Sequence, residues 1–397
     1  IYQCDWSSDV CSSDLVDCRG RAGRNVIPGM KGELRMKNLS RWAGGLLAWL
    51  CCAWPWAVQA EPYLAIQQGL ACSVCHVNPT GGGLRSAYGA AFSRQVLPAS
   101  VPEGLPDWNG ALGDHLRLGG DLRETYSRNS VPQQRTQQAW QLEQFRLYGE
   151  VALLPQRLSL ALDQAMAPGS SHTQEAYVHY RDPEAGWYAK AGQFYLPFGW
   201  RLQDNTAFVR EVSGISMTTP DQGVELGLER PGWSAQLDLT NGAANAGTGS
   251  GHQVTGQWVW VQPQWRAGLA ASGTQSQGGN RRVMGVFGGA VTGPLAWLAE
   301  VDQVQDDGFP EGGRRLRAML AEVNWKPLRG HNVKLTWESL DPDRSVANDR
   351  QVRYSLLYEL TPLPYLQLRA GYRRYDGIPQ NDLQNRRLLF MEVHGFF

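Results

Sequence analysis

From residue 114 to the C-terminus, apolar and polar residues alternate with a period of two. This pattern constrains the fold more than any other feature, because it marks a strand with two unlike faces. In the run 232–241, Trp233, Ala235, Leu237 and Leu239 oppose Ser234, Gln236, Asp238 and Thr240. In the first run, Leu116, Leu118 and Leu122 oppose Arg117, Asp121 and Arg123. Near the end, Leu366, Leu368, Ala370 and Tyr372 oppose Gln367, Arg369 and Arg373. Sixteen such runs are read, roughly 114–127, 139–155, 156–166, 174–182, 186–195, 220–230, 232–241, 252–262, 263–274, 281–292, 294–304, 314–326, 330–340, 350–361, 364–375 and 384–397.

The connections alternate in length. Short turns fall at Pro155-Gln156, Arg230-Pro231, Gln262-Pro263 and Pro362-Leu363, and the largest loop lies near 196–219. An even strand count with alternating short and long connections predicts an all-β fold, a transmembrane antiparallel barrel over 114–397. Both termini then lie on the periplasmic side, and the barrel meets outer-membrane lipid. The 16 Trp and 14 Tyr suit interfacial girdles, and Phe396-Phe397 ends an alternating strand. The 37 cationic and 37 anionic residues cancel, so no net basic face is expected for nucleic acid.

Residues 36–60 read as a cleaved signal peptide. Lys37 and Arg41 precede an apolar run from Trp42 to Trp56, and Val58-Gln59-Ala60 supplies small residues at the cleavage positions. The alternative is a membrane anchor, for which the run is short. Residues 1–35 are then upstream, non-native material expected to be disordered, and 4–15 resembles translated sequencing-adapter sequence. Of seven cysteines, only Cys72 and Cys75 belong to the mature chain.

Those two form Cys72-Ser-Val-Cys75-His76, a C-x-x-C-H. Two thiols at this spacing can add to the two vinyl groups of one haem, and the next His can reach the iron. A redox pair or a plain disulfide is the alternative. The glycines of Thr80-Gly-Gly-Gly83 allow close approach to a flat ligand, and Arg85 reads either as a partner for a propionate or as an ordinary surface charge. Segment 61–113 is expected to be a small haem-binding plug that borrows its walls from the barrel.

A signal peptide, one C-x-x-C-H and then a barrel of about sixteen strands resembles the fused monohaem cytochrome–porins of iron-oxidising bacteria, or a sister group. The resemblance is specific at Cys72, Cys75 and His76, and loosely at Gln67-Gln-Gly69; the stretch Asn78–Gly83 is not placed by it. It implies electron transfer across the outer membrane through one covalent haem c, with a periplasmic carrier and an extracellular donor or acceptor as partners. Extracellular Fe(II) oxidation would then be the haem's chemistry. No catalytic pair can be named from spacing.

For the distal iron ligand, His115 or His394 is expected, since both read as inward on neighbouring strands near the periplasmic rim. His179 and His331 lie at the same level. Met217, Met284 and Met319 are the thioether alternatives, the last two also read as inward. Arg146, Arg157, Asp163, Glu225, Asp238, Glu300, Arg315, Arg317, Glu359, Arg369 and Glu392 read as part of an inward charge set. Two other functions stand beside electron transfer. One is a solute-diffusion porin with a structural haem segment and the 196–219 loop as its constriction. The other is a barrel that sheathes a separate cytochrome.

Overall fold

The computed structural model describes residues 61–242, 251–276, 278–309 and 312–397. The expected upstream segment 1–35 and signal peptide 36–60 lie outside them. Sixteen long antiparallel strands follow one another in chain order, from Leu116–Ser130 to Arg387–Phe396. The last pairs with the first, Glu392 opposite Thr125 and His394 opposite Arg123, which closes the barrel. A two-residue strand, Ala111–Leu112, pairs with the start of the first. Every expected run is a strand, with ends shifted by a few residues; the first hairpin extends to Ser130 and resumes at Gln137.

Alternation sorts the two faces. Leu226, Leu237, Leu239 and Leu269 are exposed on the outside, while Glu225, Asp238 and Thr255 are buried inside. Trp187, Trp260, Trp265, Trp297 and Trp325 are exposed beside the short turns. There the Trp233 and Trp258 rings stack with centroids 4.4 Å apart. Amphipathic aromatic rings gathered at one level suit an interface between an apolar layer and water.

The barrel is not hollow. Residues 195–220 fold inward, and their helix Phe208–Ser213 packs on strands Leu295–Asp306, Arg314–Trp325 and His331–Asp341. From the short-turn end, helix Pro62–Gln68 enters and packs on strands Gly279–Thr292 and Leu295–Asp306. Proline at its first turn and Gly69 in the left-handed region bound this helix. Gly69 is doubly required, since a Cβ there would sit 2.8 Å from the Cα of Pro263. Side chains from three sources then make one internal core. Tyr63 and Ile66 come from the entering helix, Phe198, Trp200, Phe208 and Val209 from the loop, and Val283, Phe287, Leu298 and Leu320 from the wall.

This core explains where polar-inside reasoning fails. The lumen face near the loop carries Val283, Phe287, Ala318 and Leu320, so it is apolar at that level. Met284 is 65% exposed and points outward, and Met319, Arg315 and Arg317 share the outward face of their strand. Arg157 sits in a turn with its side chain exposed. The other inward charges named above do face inward: Arg146, Asp163, Glu225, Asp238, Glu300, Glu359, Arg369 and Glu392 are all buried.

Ion pairs latch the loop to the wall. Arg210 pairs with Glu300 and donates to the Phe198 carbonyl at 2.8 Å. Arg353 pairs with Glu338 and reaches Asp204 at 2.8 Å, and Arg373 reaches the same carboxylate at 2.8 Å. Burial would raise the Asp204 pKa. The Arg353 and Arg373 guanidinium groups outweigh it and hold the carboxyl below the usual range. A depressed folded pKa contributes stability that is full above the ordinary value, about 4, and lost only as pH falls through the folded one. Protease access to residues 203–207 should therefore stay low down to about pH 4 and rise below it; release already at about pH 6 would contradict this latch.

Candidate functional site: a cavity between plug, loop and wall

Segment 61–98 builds one side of a cavity in the short-turn half of the lumen. Cys72–Cys75 form a single helical turn, and the His76 amide donates to the Cys72 carbonyl at 3.0 Å. The chain then makes a narrow hairpin. His76 and Arg85 pair as a bridge, and the Val77 amide donates to the Leu84 carbonyl at 2.9 Å. Gly81, Gly82 and Gly83 turn it with φ of 94°, 84° and 60°, values that side chains resist. Ser86 caps the helix Ala87–Gln95 by accepting from the Gly89 amide at 3.1 Å, and its hydroxyl donates to the Val74 carbonyl at 2.6 Å.

Gly89 is where this helix lies on the cysteine turn. A Cβ there would be 2.1 Å from the Cys75 carbonyl oxygen. Gly89→Val should push the two apart and raise proteolysis of segment 61–98 several-fold while the barrel keeps its heat-resistant migration, since overpacking costs about 1–3 kcal/mol. Unchanged proteolysis would contradict the packing described.

Asn78 ties the hairpin to the barrel. Its amide donates to Glu175 at 2.7 Å, and its carbonyl oxygen accepts from Lys190 at 3.3 Å. Thr80 accepts from Arg201 of the loop at 2.8 Å. Motif, loop and wall thus meet at one place, and the stretch Asn78–Gly83 is the fastener.

The cavity measures about 1110 Å³ counting its open mouth. Cys72, Cys75, His76 and Arg85 all line it, so the structure brings these four expected residues together. Its apolar walls include Leu64, Phe92, Trp200, Val259 and Phe287. Arg201 and Arg266 line it as well, and sequence reasoning missed both. Arg266 lies 3.6 Å from the Cys72 Sγ, 194 residues away in the chain.

Several atoms here are unsatisfied. Both cysteines are free thiols. His76 is 3% exposed, and its Nδ1 has no hydrogen-bond partner. Burial first, and the Arg85 charge second, lower its pKa to about 3, so the imidazole is neutral. Arg85 Nη2 and Arg266 Nε are buried without partners. Burial lowers the Arg85 pKa to about 10 and raises the Cys75 thiol to about 11. A neutral imidazole, two thiols and underused guanidinium groups are a donor set for a metal-bearing, anionic, largely apolar group.

The two expected distal ligands are elsewhere. His115 is exposed in the turn before the first strand, and its ring contacts the Ala152 carbonyl at 2.7 Å. Its inward reading is therefore corrected: the strand begins one residue later, so alternation does not govern it. His394 does face inward and is fully buried, held by Arg123 at 3.3 Å and Gln367 at 3.2 Å. Neither lines the cavity; among the described residues, His76 is its one His, and no Met lines it. His179 is buried between the Tyr177 and Tyr188 rings, and His331 bonds the Tyr358 hydroxyl. Met217 is buried in the loop, near Gly82.

No family model and no curated protein sequence matches the chain. Solved structures do. The anion-selective porin from Comamonas acidovorans is 11% identical, with a TM-score of 0.56, covering 71% of this chain and 99% of that one. The outer-membrane channel DcaP of Acinetobacter baumannii is 13% identical, with a TM-score of 0.57, covering 71% and 97%. OmpT of Vibrio cholerae, in its trimer form, is 8% identical, with a TM-score of 0.56, covering 72% and 100%. Identities this low carry the fold alone: the chain is a sixteen-stranded β-barrel of the porin fold.

Proposed function

We propose that this barrel spans the bacterial outer membrane and carries one covalently attached haem c, through which it exchanges electrons with a periplasmic carrier and an extracellular donor or acceptor. The observation that supports it is the convergence of two free thiols, a buried neutral imidazole and underused guanidinium groups on one cavity inside the barrel. When bound, a haem supplies one-electron chemistry. The chain supplies the rest. Cys72 and Cys75 provide the covalent anchor and His76 the proximal imidazole. Arg85, Arg201 and Arg266 offer charge to the propionates. Phe92, Trp200, Val259 and Phe287 exclude water, which raises the weight of every nearby charge.

The cavity lies toward the short turns, which are periplasmic in this orientation. Exchange with a periplasmic carrier is then direct, while the long-loop side is reached through the packed loop. The internal core disfavours free diffusion. A polar vestibule of about 1720 Å³, counting its mouth, opens at the long-loop end among Arg123, Arg146, Arg369 and Arg373, and it is floored by the loop. This vestibule favours solute entry.

Vesicles holding a reduced viologen dye inside, with a ferric chelate outside, test the proposal. The intact protein should oxidise the trapped dye while a trapped sugar stays inside. Dye oxidation no faster than in protein-free vesicles, or only in step with sugar leakage, would overturn it.

A further inference from the structure

The outer wall is asymmetric. Its short-turn rim is Trp-rich, whereas its long-loop rim carries outward arginines. Three of these lie on adjacent strands: Arg374, Arg387 and Arg128. All three are exposed on the face shared with Tyr372, Leu389 and Tyr126. Arg374 and Arg387 are direct cross-strand partners. Arg128 is diagonal to Arg387, which pairs with Ser130.

Like charges directly opposite one another destabilise a sheet pair. None of the three side chains makes a hydrogen bond or ion pair with another described residue. Elsewhere the chain pairs its arginines closely, as with Arg123, Arg210, Arg353 and Arg369. A basic triad left unpaired on the wall, directly above exposed aromatic and aliphatic side chains, matches a ligand with an anionic head and an apolar body. Arginine's fork binds phosphate in bidentate fashion. Basic residues beside an apolar belt attract anionic headgroups within a Debye length of the surface.

We infer that Arg128, Arg374 and Arg387 form a site for the phosphate-bearing headgroup of a lipid in the leaflet at the long-loop end. Phosphate would bridge Arg374 and Arg387 and relieve their repulsion, while the acyl chains would lie along Leu389, Met391 and Tyr372. This surface is independent of the cavity and of any haem.

The test is native mass spectrometry of the full barrel in detergent with bisphosphorylated lipid A, its dephosphorylated form or inorganic phosphate. The bisphosphorylated lipid should remain bound. Arg374→Gln with Arg387→Gln should weaken retention about tenfold or more, tenfold being about 1.4 kcal/mol. Arg374→Lys with Arg387→Lys should retain part of it. Both variants change exposed positions, and heat-resistant migration on gels reports their folding. Equal retention of the dephosphorylated lipid, an unaffected Gln variant, or displacement by inorganic phosphate at millimolar concentration would overturn the inference.

Discussion

Cys72→Ser combined with Cys75→Ser should leave a folded barrel with no covalently bound haem. Electron transfer across vesicles should fall to the rate of protein-free membranes. The thiols lie on a one-turn helix at the cavity wall, and the barrel strands do not depend on them. His76→Ala should separate attachment from ligation. The covalent link should survive while the Soret and visible bands shift, because the proximal nitrogen is lost and the thioethers remain. His115→Ala should leave the spectrum unchanged, since His115 faces solvent and bonds a carbonyl of the wall. Full haem content in the double Ser variant would remove the functional proposal.

Arg353→Ala should release the inward loop. Arg353 is 2% exposed and serves Glu338, Asp204 and the Thr206 carbonyl at once. Its loss leaves the fully buried Glu338 without a paired cation and Asp204 with Arg373 as its remaining ion-pair partner. Breaking a buried pair in this way costs about 3–5 kcal/mol, more than a local opening can absorb unnoticed. Amide exchange in residues 204–215 should quicken by roughly two to three decades, at about 1.4 kcal/mol per decade. Channel current should rise as the floor of the vestibule loosens. Arg353→Lys should fall between, because it keeps the charge and loses the fork. Unchanged exchange and current would show that Arg353 does not latch the loop.

The barrel was legible in sequence because period-two alternation is local: Leu226 outside and Glu225 inside can be told apart from their neighbours. The interior was less legible because it depends on what fills it. Phe194-Tyr-Leu-Pro-Phe-Gly-Trp200 lies at a strand end and in a loop expected to face outward or constrict a pore, yet it is densely apolar. That density was the available signal that the loop seeks a core. Once it packs on the wall, Ala318 and Leu320 replace polar residues on the lumen face. The parity of Met284, Met319, Arg315 and Arg317 then reverses. At the cavity, Cys72, Cys75, His76 and Arg85 were visible because they are contiguous. Arg201 and Arg266 were not, because only barrel closure and loop entry bring them to the motif. His115 was misread through a strand boundary placed too early, whereas His394, well inside its strand, was read with the correct face.

The intact mass of the purified, fully denatured protein, expressed with a cytochrome c maturation system, tests the central claim most directly. The account predicts a chain heavier by one haem, with the added mass on the peptide that contains Cys72 and Cys75. A chain at its unmodified mass, made under conditions that load a control cytochrome c, would contradict it.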